Sequence, residues 1–264
     1  MSQSRQVRVT NWQEQAQQSG LDHIATELPV ALTYNRLSHV VMMVTPADLE
    51  DFALGFSLTE GIIPSAGELL SVNVLSRQGG LEVAMTIPED WFDRLATQRR
   101  NLTGRTGCGL CGAERIEQAL RYPEAVNDTL RIAHASVQGA LKSLQQQQPL
   151  QALTGATHAA AWCNPQGEIQ LLREDVGRHN ALDKLLGALA RQLFDPAAGF
   201  LLISSRASYE MVYKAASMGV QLLVAVSAPT TLAIEFAERC GLSLVGFARP
   251  GRHNVYTFAQ RIAD

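Results

Sequence analysis

Leu222-Leu223-Val224-Ala225-Val226 is an unbroken apolar run, followed at once by Ser227-Ala228-Pro229-Thr230 and a helical pattern from Thr231 to Arg239. A strand without polar alternation has no face to offer water, so it belongs inside a sheet covered on both sides. The same phrase recurs around it. Phe200 to Ser204 leads into a helical stretch from Tyr209 to Met218, Ser243 to Ala248 is again strand-like, and Asn180 to Leu193 is helical. Just upstream, His158 to Trp162 and Ile169 to Leu172 flank the turn sequence Asn164-Pro165-Gln166-Gly167. Alternating helices and strands predict an α/β domain over 151–264 built on a largely parallel sheet.

Further toward the N-terminus the pattern changes. The glutamine run Gln145 to Gln148 before Pro149 marks a domain boundary, and 28–150 reads as a smaller α+β domain. Leu28 to Tyr34 and His39 to Val44 form one expected hairpin, and Leu69 to Ile87, turning at Gly79-Gly80, another. Between them, Thr45-Pro46 offers a capping hydroxyl and a first-turn proline for a helix ending near Gly61. Short helices are expected around Trp91 to Arg99, Glu114 to Leu120 and Ala135 to Gln146. Residues 1–27, polar and rich in glutamine, read as a loosely held arm.

Composition narrows the function. The 264 residues are 46% apolar and 18% charged, with 22 Lys and Arg against 25 Asp and Glu and a net charge of −3. That balance argues against a protein that wraps nucleic acid, which must neutralise many phosphates. No stretch reaches the ~18 apolar residues of a membrane span, and Met1 to Gln18 lacks the apolar segment of a secretory signal. A cytoplasmic protein without nucleic-acid or membrane partners is the expectation.

In open α/β sheets ligands bind beyond the carboxyl ends of the strands. Polar residues gather at those positions here: Arg178, His179 and Asn180; Ser204 and Arg206; Ser227 and Thr230; and Phe247-Ala248-Arg249-Pro250-Gly251-Arg252. Guanidinium forks, hydroxyls and glycines near helix starts suit phosphate groups. For any single residue the alternative is a helix cap or a solvated charge, but the recurrence at four strand ends favours a pocket. His179 and His253 each sit in a Gly-Arg-His-Asn tetrapeptide, at 177–180 and 251–254, and no cysteine nearby would make either a metal ligand.

Of four cysteines, Cys108 and Cys111 lie in Asn101 to Gly112, where four glycines in twelve residues exclude a stable helix or strand. A Cys-x-x-Cys pair can be half a zinc site, a redox dithiol or a sulfur-transfer nucleophile. Zinc would need ligands from another subunit, because neither Cys163 nor Cys240 has a second ligand at suitable spacing. A thioredoxin-like dithiol belongs at a helix start in a βαβ unit, which this loop over 101–113 is not. A thiolate on a glycine-rich arm can collect a cargo from one partner and deliver it to another. Arg99, Arg100, Arg105 and Arg115 would favour the thiolate form. Cys163 and Cys240 read as ordinary core residues.

Gly107-Cys108-Gly109-Leu110-Cys111-Gly112, Thr154 to Ala160, Glu174-Asp175-Val176-Gly177-Arg178-His179-Asn180-Ala181 with Asp183-Lys184, Ser204-Ser205-Arg206 and Phe247 to Arg252 together resemble the FdhD family, sulfur carriers required for formate dehydrogenase activity. The resemblance runs from about Leu28 to Phe258. It implies a homodimer with a cytidine-deaminase-like α/β sandwich as its C-terminal domain. It also implies a cytoplasmic sulfurtransferase that takes sulfur as a persulfide on Cys108, with Cys111 as companion, from a cysteine desulfurase. The acceptor would be the molybdenum bis(molybdopterin guanine dinucleotide) cofactor, carried as cargo without a permanently bound metal, before its insertion into formate dehydrogenase. The family's guanine-dinucleotide contacts match Phe247 to Arg252. A zinc deaminase, the rival such a fold suggests, needs His-x-Glu ahead of Pro-Cys-x-x-Cys. Here the corresponding helix starts read His179-Asn180-Ala181 and Ser204 to Ser208, without those ligands. A second alternative is a non-catalytic cofactor chaperone whose dithiol is structural or binds a metal.

Overall fold

The computed structural model describes residues 1–14, 16–100 and 122–264. Cys108, Cys111 and the expected helix over Glu114 to Leu120 lie outside the described residues.

The N-terminal segment differs from the expected loose arm. Ser4–Gln13 (β1) and Ala16–Ala25 (β2) pair antiparallel in unbroken register, forming a two-stranded sheet of their own. Most of their side chains, Trp12 and Leu21 among them, are exposed. A ribbon with no buried face leaves no hydrophobic alternation to detect, so backbone pairing here runs ahead of the sequence signal.

Leu28–Tyr34 (β3) and Leu37–Val44 (β4) follow, turning through Asn35 and Arg36, both at positive φ. This is the geometry of a two-residue hairpin loop. Leu49–Thr59 (α1) then leads to the hairpin of Ser71–Arg77 (β5) and Gly80–Thr86 (β6). The four strands form one sheet in the order β4-β3-β6-β5, with β3 and β6 parallel. Alternate residues of β3 and β6, Val30, Leu32, Tyr34, Leu81, Val83 and Met85, pack with Phe52, Ala53 and Phe56 of α1 in one core. Thr45 does not cap α1. The cap position is Asp48, in the left-handed region and without a side-chain bond to the helix, while the Thr45 hydroxyl accepts from the backbone N–H of Val176 in the other half.

After Glu89–Arg100 (α2) and beyond residue 121 come a two-residue strand, Ile132–Ala133 (β7), and the helices His134–Gln146 (α3) and Pro149–Thr154 (α4). The second sheet comprises His158–Cys163 (β8), Ile169–Asp175 (β9), Phe200–Ile203 (β10), Leu222–Ala225 (β11), Ser243–Arg249 (β12) and Arg252–Val255 (β13). Its order is β13-β12-β11-β10-β8-β9. Between these strands run Arg178–Arg191 (α5), Tyr209–Ser217 (α6) and Thr231–Cys240 (α7). A last short strand, Ile262–Ala263 (β14), pairs with β7.

The sheet is mixed rather than largely parallel. Only β10, β11 and β12 run parallel as neighbours, while β8, β9 and β13 enter through antiparallel hairpins whose short turns leave no room for a crossover helix. Both faces are covered, as the unbroken apolar strands require. Leu201, Ile203, Leu223 and Ala225 point to a core with α5, α6 and α7, and their neighbours Phe200, Leu202, Leu222 and Val224 point to a second core with α3. Because Leu130, Val137, Leu141 and Leu144 belong to that second core, the segment from residue 130 packs with the C-terminal sheet, well before the sequence boundary at 150. Among the described residues no helix is long and apolar enough to cross a membrane.

Candidate functional site

β9, β10, β11 and β12 all point the same way, so their carboxyl ends at Asp175, Ile203, Ala225 and Arg249 share one edge of the sheet. That edge carries the polar residues singled out above. The loops along it are laced together by backbone hydrogen bonds: Val226 N–H to Ile203 O, Ala207 N–H to Ala228 O, Thr230 N–H to Ala207 O and Phe247 N–H to Ser227 O. The rim is therefore a continuation of the sheet. A rigid rim fixes the geometry of any side chain it carries.

On one flank, α5 begins at Arg178 and His179. His179 Nε2 lies 3.0 Å from Glu210 Oε2 at the start of α6, and Arg178 Nη2 stands 4.0 Å from the same oxygen. The His179 contact, opposed by burial, holds the Glu210 carboxyl below its usual range, with Arg178 adding to the effect. His158, at the start of β8, is half buried beside them. Burial first and the Arg178 charge second push its pKa down. Two imidazoles, a guanidinium and a carboxylate thus meet at a partly open place, a group able to hold an anion or relay a proton. His158 and Glu210 escaped the sequence argument, because a histidine opening a strand and an acid in a first helical turn both have ordinary structural roles.

On the other flank, β12 and β13 close in a hairpin around Pro250-Gly251. Arg249 and Arg252 face each other across it and are both exposed. The pairing shifts register between Gly246 and Arg249, and Phe247 inside this bulge sits at φ 50° with 44% of its surface exposed. A left-handed aromatic residue is a strained feature of the kind that collects at ligand sites. Gly246 permits the arrangement, because a β-carbon there would press on Pro229 and the Tyr256 ring. Like charges directly opposite on a hairpin repel, so Arg249 and Arg252 favour an anion between or above them.

Other expected site residues have structural employment. Ala248 is buried in the α3 core, and Thr230 caps α7 by accepting from Ala233 N–H at 3.2 Å. Ser204 accepts from Ala159 N–H at 2.9 Å. Arg206 is exposed on the rim and Ser227 half buried, its carbonyl taken by Phe247. The Asn180 amide donates to Met43 O and to Asp175 Oδ1, both at 2.9 Å, and is buried.

Asn180 is part of a seam between the halves. Asp175 accepts from the N–H groups of Thr45 and Gly177 and pairs with Lys184 at 2.7 Å, both side chains fully buried. Beside Lys184 on α5, Asp183 pairs with Lys214 at 3.0 Å and accepts from the Thr59 hydroxyl, and Lys214 also meets Glu60 at 2.8 Å. Gly55 of α1 and Gly187 of α5 let the two helix backbones touch: a β-carbon on the first would strike Asp183 O, and on the second Asp51 O. Asp51 is further held by Arg173 at 2.8 Å and Arg191 at 3.1 Å. Glu174 accepts from Leu150 and Gln151 N–H at the start of α4. Most polar residues of the Glu174 to Lys184 run therefore join the molecule together, leaving Arg178 and His179 for the rim.

The two described cysteines fit their expected roles. Cys163 and Cys240 are buried, and burial pushes the Cys163 thiol up to about 12 and raises that of Cys240, so both stay protonated.

The profile of the FdhD/NarQ family matches residues 25–263. The chain belongs to the FdhD/NarQ family. It is 50% identical over 254 residues to the sulfur carrier protein FdhD of Cupriavidus necator, covering 96% of this chain and 88% of that one. It is 52% identical over 241 residues to the FdhD of Xanthomonas euvesicatoria, covering 91% and 86% respectively. The crystal structure of a candidate formate dehydrogenase accessory protein from Desulfotalea psychrophila superimposes with a TM-score of 0.77 at 25% identity, covering 99% of this chain and all of that one. FdhD/NarQ membership agrees with the α/β architecture.

Proposed function

We propose that this protein is a sulfur carrier in the maturation of formate dehydrogenase. The observation that carries this reading is identity of about half, over nearly the whole chain, to relatives named sulfur carrier proteins. Cys108 and Cys111, in their glycine-rich setting, supply the chemistry. The Cys108 thiolate attacks the outer sulfur of a cysteine desulfurase persulfide, the desulfurase thiolate leaves, and the sulfur stays on Cys108 as a new persulfide. From there it passes to the molybdenum bis(molybdopterin guanine dinucleotide) cofactor destined for formate dehydrogenase. The protein works as a cytoplasmic homodimer.

The cofactor's place is the rim. Arg249 and Arg252 suit its phosphates, and the exposed Phe247 ring suits stacking on guanine. Arg178, His179 and Glu210 flank the other end of the same edge.

The test is peptide mass spectrometry after incubation with a cysteine desulfurase and cysteine. Reducible sulfur should appear on Cys108 and be absent from Cys108→Ala, whose circular dichroism stays that of the parent. Wild-type loading in Cys108→Ala would remove Cys108 as the carrier. Absence of sulfur from both cysteines, with stoichiometric zinc in the purified protein, would replace the carrier by a cofactor chaperone with a structural dithiol.

A further inference from the structure

Beneath the arginine hairpin lies a chain of hydrogen bonds that none of the readings above uses. Gly251 N–H, at the hairpin tip, donates to Gln138 Oε1 on α3 at 2.8 Å. That bond fixes which way the amide points, because the reversed amide would set two donors against each other. Gln138 Nε2 then donates to His253 Nδ1 at 3.0 Å. With its Nδ1 accepting, a neutral His253 carries its proton on Nε2, which lies 2.8 Å from His134 Nδ1 and donates to it. The two rings lie edge to edge along this bond, centroids 5.0 Å apart and 26° between planes. Each link sets the direction of the next, and the sequence has a single solution: both facing ring nitrogens of the acceptors unprotonated.

We infer that Gln138, His253 and His134 are positioning residues for the Arg249–Arg252 hairpin, holding it against α3 only while both imidazoles are uncharged. A proton added to His253 Nδ1 would meet the Gln138 NH₂, and one added to His134 Nδ1 would meet the His253 N–H; either breaks the chain that ends on the hairpin tip. From α3 the groups facing His253 are His134 and Gln138. Across the hairpin His253 stands opposite the bulge between Gly246 and Arg249, where β12 carries the uncharged Phe247 and Ala248, and the hairpin's own charges, Arg249 and Arg252, are exposed. Nothing acidic among the described residues shifts His253; burial, and after it His134, lowers its pKa. The neutral form is therefore the folded form, and its contribution is whole above the ordinary histidine value of about 6.5 and lost as pH falls below it. The inference deepens the proposed function, resting on the hairpin as the nucleotide-phosphate site.

Two readouts separate the relay from the site. Hydrogen exchange and histidine ¹⁵N shifts judge the relay without ligand: Gly251 N–H should be protected at pH 7.5 and lose protection toward pH 5, with His253 neutral and protonated on Nε2 at the upper value. Gln138→Leu should remove the protection at both. Gln138→Glu should reverse the dependence, since a carboxylate accepts from Gly251 N–H and from a protonated His253 alike. Calorimetry with GDP as the probe judges the site. The wild type should bind roughly fivefold more tightly than Gln138→Leu at pH 7.5, and that ratio should shrink toward one at pH 5, GDP's own ionisation cancelling in the ratio. Gly251 exchange that is the same in all three proteins at both pH values overturns the relay. A normal relay by exchange with no GDP bound at either pH overturns the hairpin as the nucleotide site and, with it, the relay's functional role.

Discussion

The seam between the halves and the rim at the strand ends use the same residue types, yet the two regions treat charge in opposite ways. At the seam, Lys184 with Asp175 and Lys214 with Asp183 are buried and saturated by Thr45, Thr59 and backbone groups. At the rim, Arg249 and Arg252 face each other across the hairpin, both exposed like Arg206, and Glu210 sits among two imidazoles and a guanidinium. A buried charge is tolerated only when its partners are complete, whereas a charge meant for a ligand must stay open. The run Glu174 to Lys184 crosses from one regime to the other. Its alternating loyalties follow from helix geometry, since Asn180, Asp183 and Lys184 share the side of α5 that meets α1 and β4, and Arg178 and His179 stand at its exposed first turn.

The largest effect should come from breaking the seam. Lys184→Met leaves Asp175 buried without its cation and should cost about 3 to 5 kcal/mol in urea unfolding; a loss under about 1 kcal/mol would mean that the backbone donors alone satisfy Asp175. Gly55→Ala should cost somewhat less, about 1 to 3 kcal/mol, since α1 and α5 must separate to admit one methyl group. An unchanged unfolding midpoint would show the helix contact to be looser than it stands here.

Rim changes should do the reverse and spare stability. Arg249→Ala should weaken GDP binding by about 1.5 to 3 kcal/mol, with the thermal midpoint unchanged; equal affinity by calorimetry would move the phosphates elsewhere. The smallest effect belongs to Glu210→Gln. Because contact with His179 lowers the Glu210 carboxyl in the folded state, its contribution is present above the unfolded value of about 4.3 and fades as pH falls through the folded one. Solvent screening at this half-open place reduces it to a few tenths of a kcal/mol. Comparing denaturation of the two proteins at pH 6.5 and pH 3 would show it, the difference closing at the lower pH.

How far the sequence carried is visible in particular elements. Leu222 to Val226 predicts a strand buried on both faces, and it is one. The hairpin ending at Val44, the helix before Gly61 and the three helices of the second half stand where hydrophobic periodicity places them, because burial is what periodicity records. β1 and β2 were hidden, since their pairing buries no core. β13 was hidden too, because its four residues, Arg252 to Val255, look like the loop they extend. At the site, the sharing of one edge by four strand ends was legible from the order of elements. His158, Glu210, His134 and Gln138 were not, for each reaches its partners across a separation that runs from 20 positions (His158 to Arg178) to 119 (His134 to His253), at which no local pattern survives.

By itself, then, the sequence determined the α/β class, the covered sheet, the family-bearing motifs and the setting of Cys108 and Cys111 among glycines. These rest on local chemistry: side-chain burial, turn preference and the spacing of reactive groups along a few residues. Which polar residues would be consumed and which left open was decided only by tertiary structure. Asn180 and His179 are neighbours in one tetrapeptide, and only the approach of Met43 and Asp175 to one and of Glu210 to the other makes the first a clamp and the second a rim group. A polar side chain takes its role from the partner that reaches it, and that partner comes from elsewhere in the fold.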